Sequence, residues 1–337
     1  VTPPLAARSG SPSGSRPDPR VAILAGGLSH ERDVSLRSGR RVAEALRAAG
    51  VEVSVHDVDD DLVPALTQML PDIVWPLLHG ASGEDGSVRD VVEMLGLRVL
   101  GTGPRQSRLA FDKANAKTVV ARAGIATPAF VTLPQTLFRE LGVNRVLHAI
   151  TDRLGSALVV KPVEGGSALG VSVVSSPDEL RRAMVDCFAY CGTALVEQRV
   201  DGTELAVSVV DLGDGPVALP AVEIVADGPY DFDARYNPGR VEYFAPARLS
   251  PALADAAAAA AVAAHQALGL ARLSRTDVIV SDDGRVHFLE VNVAPGMTET
   301  SLLPQAAEAA GHNLGDLYRS LVLASLAGSS QAYRPLT

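Results

Sequence analysis

Aromatic residues and cysteines are scarce in this chain. Aromatics make up 4% of its 337 residues, with a single Trp, and there are only two Cys. Two cysteines exclude a disulfide framework. Cys187 and Cys191 fall four apart on an expected helix with no His partners, so they read as reduced small hydrophobes and give no zinc signal. No apolar run in the sequence approaches the roughly 18 residues a membrane span requires, and the expected setting is the cytoplasm. Basic residues are in the minority, 30 Lys+Arg against 39 Asp+Glu, for a net charge of −9. That balance argues against a broad nucleic-acid or anionic-membrane surface, and leaves room for a local cationic pocket facing a phosphorylated ligand. Internal repeats are absent too.

What is present is a hydrophobic fraction of 47%, in which Ala and Val fill the place of aromatics. At about 100–200 residues per domain, the length suggests two or three domains. Residues 1–20, VTPPLAARSGSPSGSRPDPR, are dense in Pro, Ser and Gly and are expected to be a disordered tail; lacking an apolar segment, they do not read as a secretory signal. VAILAGG (21–27) reads as a buried parallel-type strand entering a glycine turn. A helical pattern then runs to Gly50, VEVSV forms a second strand, and PDIVWPLLHG a third. Alternating strands and helices predict a parallel, doubly wound sheet with ligands beyond the carboxyl ends of its strands, where GGLSHERDVS and HGASGEDG both fall. Glu31, in the first of these loops, is either solvated surface or a carboxylate offered to an ammonium.

Further along, FDKANAK places Lys113 and Lys117 one helical turn apart, by default facing solvent. One strand and one helix follow Thr127-Pro128. In SALVVKPVEGGSALGVSVV, Lys161 ends a strand before a Gly-Gly-Ser turn, which is either a plain glycine hairpin or a loop whose N–H groups cover phosphates. PDELRRAMVDCFAY reads as a helix. Glu197 and Glu204 flank a turn between two strands. A long polar loop, ADGPYDFDARYNPGRVEYFAPA, carries Tyr230, Phe232, Tyr236 and Tyr243 and reads as a closing lid. Ser250-Pro251 starts an Ala-rich helix, and a last helical region follows PGMTETSL.

The most informative stretch is SRTDVIVSDDGRVHFLEVN. Two β-branched runs flank Asp283-Gly284, which predicts a hairpin with a two-residue type I′ turn. That register sets Asp277 opposite Glu290 and Arg275 opposite Asn292, with Val286, Phe288, Glu290 and Asn292 on one face. Two carboxylates opposed across a sheet repel. Either they are solvated, or a hard cation such as Mg²⁺ sits between them.

In order and spacing, GGLSHERDVSL, LHGASGEDG, DKANAK, VVKPVEGGSALGV, VEQRVDGTE, YDFDARY, SRTDV and LEVNVAPGMTETSL resemble the D-alanine–D-alanine ligases of the ATP-grasp superfamily, over roughly residues 21–325. The resemblance implies mixed α/β and α+β architecture. It comprises a Rossmann-like N-terminal domain (21–104), a small central ATP-grasp lobe (105–200) and a C-terminal lobe with the metal hairpin and lid (201–328). It implies ATP-dependent joining of two D-alanines through an acyl phosphate, for peptidoglycan precursor synthesis. By motif position, Lys113 and Lys161 contact ATP phosphates, as does Arg235 where the family usually has Lys. The backbone from Glu197 through Gln198 to Val200 meets adenine, and Glu204 the ribose. Asp277, Glu290 and Asn292 hold two Mg²⁺, with Mn²⁺ as a substitute. Glu31, Ser167 and Tyr236 form a linked set around the ammonium of the first D-alanine. Arg275 and the N–H of Gly296 make an oxyanion hole, and Ser301 binds the carboxylate of the second D-alanine. Implied partners are two D-alanines, ATP and a second copy of the chain in a homodimer, with no nucleic acid or membrane. Ala168, where the family has a second Ser, Arg235, Gln198 at a frequent Lys position, and Val293 for Thr are departures. Two alternatives accompany this reading: a D-lactate or D-serine acceptor, and a non-catalytic nucleotide-binding paralogue.

Overall fold

The computed structural model describes residues 19–226 and 241–328, and Tyr230, Phe232, Arg235 and Tyr236 lie outside them. The N-terminal unit runs β1 (Arg20–Leu24), α1 (Arg32–Ala48), β2 (Glu52–His56), α2 (Leu62–Met69), β3 (Ile73–Pro76), α3 (Ala81–Glu84) and α4 (Ser87–Met94). Its sheet is parallel, in the order β2-β1-β3. After the exposed Arg20, β1 is apolar because both faces are covered. Val21 and Ile23 pack with α1, while Ala22 and Leu24 pack with Leu62, Leu66 and Val92. β1 starts at Arg20, one residue before the expected strand, and the expected HGASGEDG loop contains the short helix α3. The loops after β1 and β3 emerge side by side because those strands are neighbours.

Next come α5 (Pro104–Phe111) and α6 (Lys113–Arg122). Asp112 caps α6, accepting a hydrogen bond from the N–H of Asn115. The central lobe has β4 (Phe130–Pro134), α7 (Gln135–Leu141), α8 (Val143–Leu154), β5 (Leu158–Pro162), β6 (Ser172–Val174), α9 (Pro177–Phe188) and β7 (Thr193–Gln198). Two helices stand where one was expected, since Gly142 breaks the run. The lobe's sheet is antiparallel in the order β4-β7-β5-β6, and α7, α8 and α9 bury one apolar cluster against it. Cys187 is inside that cluster, and burial lifts its thiol to about 12; Cys191 lies beyond the end of α9, and both are free thiols.

β8 (Gly202–Asp211) follows β7 after residues 199–201 but enters a different sheet. The C-terminal lobe continues with β9 (Pro216–Ala218), β10 (Val222–Ala226), β11 (Val241–Phe244), α10 (Pro251–Ala267), β12 (Leu273–Ser281), β13 (Val286–Asn292), α11 (Leu302–Ala309) and α12 (Leu314–Ala327). Its six strands run β11-β10-β8-β12-β13, with β9 on β8. The expected long loop therefore ends in a strand, and Tyr243 belongs to β11 and packs on the main core. Ser250 accepts from the N–H of Leu253, and Pro251 opens α10. The alanines of α10 let it lie close on the sheet, burying Ala257 and Ala261 against Leu205, Val207, Val209 and Val278. The opposite face of this sheet shares one core with α1, α11 and α12. Within that core the Trp75 and Tyr318 rings meet edge to face at 5.6 Å. No helix among the described residues is long and apolar enough to cross a membrane.

The β12–β13 hairpin departs from expectation in two ways that cancel. Its turn is not a two-residue type I′. Asp283 keeps a negative φ, only Gly284 is left-handed at +79°, and the N–H of Ser281 bonds to the carbonyl of Arg285. That is a three-residue loop ending in a glycine, which shifts the ladder by one: Val278 faces Phe288 and Ile279 faces His287. A β-bulge between Asp277 and Val278 then leaves Leu289 without a cross-strand partner and restores the expected pairs, Asp277↔Glu290 and Arg275↔Asn292. The bulge also breaks the expected common face. Phe288 turns into the core under α6 and α10, whereas Leu289 and Glu290 both line a cavity.

Candidate active site

A cavity of about 620 Å³ lies between the central and C-terminal sheets. Lys113, Lys161, Glu197, Glu204, Asp277 and Glu290 all line it, as do Gln198, Val200 and Ala168. β5 delivers Lys161, β7 Glu197, β8 Glu204, and the hairpin Asp277 and Glu290.

The expected proximity of Asp277 and Glu290 is present, and each carboxylate is met by a cation of the chain. The guanidinium of Arg275 donates two hydrogen bonds to Asp277, at 2.8 and 2.9 Å. The ammonium of Lys113 lies 3.2 Å from Glu290 and donates to the carbonyl of Gly165 at 2.6 Å. Among the described residues there is no cluster of three His, Cys, Asp or Glu able to hold a metal. The chain's own donors here are two carboxylates and the Asn292 amide, whose oxygen accepts from the N–H of Ala294 at 2.7 Å. An all-oxygen set this small fits a hard cation that takes its remaining ligands from phosphates and water. The positive charge that Arg275 and Lys113 place on the same carboxylates is consistent with that fit.

Lys113 and Lys117 are not on a solvated face; they are 8% and 0% exposed. Glu197, 2% exposed, holds Lys161 at 2.5 Å and Lys117 at 2.7 Å. Burial drives the Glu197 carboxyl upward, but Lys161 and Lys117 together outweigh it and hold the group below its ordinary range. The two lysines respond differently. Burial, helped by the Lys161 charge, lowers Lys117 to about 8 against Glu197 and Glu290, while Lys161, also buried, is raised because Glu197, Glu290 and Glu204 together outweigh its burial. Gln198 turns its amide to the carbonyl of Leu154 at 3.1 Å. Val293 is buried in the core beneath α5 and α6.

Glu31, just before α1, accepts a hydrogen bond from the hydroxyl of Ser167, so two of the three residues expected around an ammonium are joined. Ser167 and the adjacent Ala168 both have left-handed backbones, with φ of +52° and +56°. An L-residue at such a φ costs roughly 1–2 kcal/mol, so the loop stores strain where it meets Glu31. The loop bearing Glu31 is fastened by Arg32, paired with Asp57 at 2.5 Å. Behind β13, the Ser301 hydroxyl accepts from the N–H of Thr298 at 2.9 Å, and Gly296 lies so close that a Cβ there would come within 2.7 Å of it. Arg275 pairs with Asn292 across the hairpin, and Gly296 follows Asn292 by four residues.

A family model described as "D-ala D-ala ligase C-terminus" matches residues 119–323. A D-alanine–D-alanine ligase of Bordetella petrii is 38% identical over 312 residues, 91% of this chain and 93% of its own length. The chain belongs to the D-alanine–D-alanine ligase family. Among solved structures, the Bacillus anthracis D-alanine–D-alanine ligase complexed with ATP matches with a TM-score of 0.74 at 28% identity, over 91% of this chain and 97% of that one. The VanG D-Ala:D-Ser ligase of Enterococcus faecalis matches with a TM-score of 0.79 at 26% identity, over 91% and 99%.

Two buried groups beside the family's expected site residues were not singled out from sequence. His79 is 4% exposed, shares a 3.5 Å contact with Ser38, and is held below its usual range by burial. Glu84 is buried, accepts from the N–H of Gly80 at 3.1 Å, and is pushed up to about 8 by burial and by Glu31. Position at the carboxyl end of β3 was the only available signal. For Lys117, the i, i+4 spacing from Lys113 was visible, but burial was not.

Proposed function

We propose that this chain joins two D-alanines at the expense of ATP, as its family does, and that the described cavity is where it does so. One observation carries the reading. Lys113 and Lys161 meet the opposed Asp277 and Glu290 in one cavity, beside a Glu31 already tied to Ser167.

In this reading, Lys113 and Lys161 bind ATP phosphates, the backbone of Glu197–Val200 binds adenine, and Glu204 the ribose. Glu31 orients the first D-alanine by its ammonium so that a carboxylate oxygen points at the γ-phosphorus. An O–P bond forms as the bond to the β-phosphate bridging oxygen breaks, giving an acyl phosphate and ADP. Asp277, Glu290 and Asn292 would hold Mg²⁺, which supplies charge neutralisation between the two anions. Ser301 holds the carboxylate of the second D-alanine. Its amine forms the C–N bond, phosphate leaves with the C–O bond pair, and the amine gives up a proton. Arg275, its plane set by Asp277, and the N–H of Gly296 receive the oxyanion. Arg235 and Tyr236 would act from outside the described residues. A homodimer working in the cytoplasm, where ATP is supplied, completes the reading.

Phosphate release should be measured with D-alanine, D-serine, D-lactate and L-alanine as acceptors. D-alanine should give the highest kcat/KM; a higher value for D-lactate or D-serine would reassign the acceptor. No ADP formation with any of them would overturn the ligase reading for this chain.

A further inference from the structure

β13 is the edge strand of the C-terminal sheet, and its outer side is covered at one residue. The N–H of Phe288 donates to the carbonyl of Ala126 at 2.8 Å. The Phe288 carbonyl accepts from the Thr127 hydroxyl at 2.8 Å and from the Lys117 ammonium at 3.3 Å. Lys117 also donates to Thr127 at 2.7 Å and pairs with Glu197 at 2.7 Å. A fully buried ammonium thus spans from the strand carrying Glu197 to the residue immediately before the bulge. Because Leu289 has no partner on β12, the inner ladder is interrupted between the Val278↔Phe288 and Asp277↔Glu290 pairs, and the strand there needs a constraint from its outer side. The outer clamp supplies that constraint, in surroundings dry enough to strengthen a charge-assisted hydrogen bond.

We propose that Lys117 and Thr127 are positioning residues: they hold the Phe288 carbonyl so that the bulge presents Glu290 to the metal–nucleotide. Through Glu197, Lys117 further ties that geometry to Lys161 on the nucleotide wall. The proposal rests on the reading of Asp277, Glu290 and Asn292 as cation ligands. Thr127 touches only the hairpin side of this hub, while Lys117 touches both sides. Their variants should therefore differ in kind.

The test uses the full chain carrying Thr127→Val, Thr127→Ser, Lys117→Met or Glu290→Gln. Two quantities are read: the free Mg²⁺ giving half-maximal ligation, and the Kd for ADP by calorimetry in EDTA. Thr127→Val, which loses the hydrogen bond donated to Phe288 and the one accepted from Lys117, should raise the Mg²⁺ requirement at least about fivefold and leave metal-free ADP binding within about twofold. Thr127→Ser should restore the wild-type Mg²⁺ requirement. Lys117→Met should raise both quantities; if it does not fold, the Thr127 pair carries the test alone. An unchanged Mg²⁺ requirement in Thr127→Val overturns the proposal. So does metal-free ADP binding weakened as much as the Mg²⁺ requirement, or a failure of Ser to rescue. Glu290→Gln separates the two levels. If it shifts the Mg²⁺ requirement and Thr127→Val does not, the positioning role alone fails; if Glu290→Gln shifts nothing, the cation site itself fails.

Discussion

Asp277 and Glu290 oppose each other across adjacent strands, a pairing that repels unless positive charge is supplied. Glu290→Gln keeps the shape and removes one of those charges. With metal charge stabilisation worth several kcal/mol in phosphoryl transfer, ligation should fall by at least about 100-fold while the near-ultraviolet circular dichroism stays native. Near-normal turnover at saturating Mg²⁺ would remove this hairpin from the chemistry. Ala168→Ser tests the phosphate loop instead. Ala and Ser bear similar strain at a φ of +56°, so restoring the family's hydroxyl should leave kcat/KM unchanged or slightly higher. A loss beyond about tenfold would show that this loop has adapted to alanine. At this scale the facing of Asp277 by Glu290 and of Arg275 by Asn292 was legible in the sequence. The sequence was least legible for Lys117 and Glu84, because composition does not say which charged groups are buried.

Among the elements, the hairpin shows how a right register can follow from a wrong turn. Asp283-Gly284 signalled a reversal correctly, but the loop is one residue longer, and the unpaired Leu289 offsets the error. No local propensity marks such a bulge; it depends on what β13 packs against, here Phe288 beneath α6 and α10. The contact of α10 with β12 yields a pH prediction. His265 is buried with Nδ1 2.8 Å from the Ser274 hydroxyl, and burial lowers its pKa to about 4 from 6.5. A depressed folded-state pKa gives stability that is complete above the unfolded value of 6.5 and lost as pH falls through about 4. The loss is on the order of 3 kcal/mol. The fall in Tm between pH 7 and pH 4 should therefore be smaller in His265→Gln than in the unsubstituted protein. Parallel curves would show that His265 does not titrate against folding.

For the molecule as a whole, the parallel N-terminal unit was readable from the alternation of strand and helix patterns, whereas a central and a C-terminal lobe were implied only by the family resemblance. The separation of β7 from β8 was likewise implied only by that resemblance, with its lobe boundary after residue 200, and not by the strand pattern. Glu197 and Glu204 flank what reads as one turn, yet the strands join different sheets and set the two walls of the cavity. That separation lets Lys161 and Glu290 line one cavity from opposite sides. The central claim, that a D-alanine carboxylate oxygen attacks ATP in this cavity, is tested most directly by isotope transfer. The protein is given D-alanine labelled with ¹⁸O in its carboxylate, ATP and Mg²⁺, and the released phosphate is analysed by mass spectrometry. Each phosphate should carry one ¹⁸O from the amino acid. Unlabelled phosphate would contradict the account, since it would mean that water, and not D-alanine, accepts the phosphoryl group.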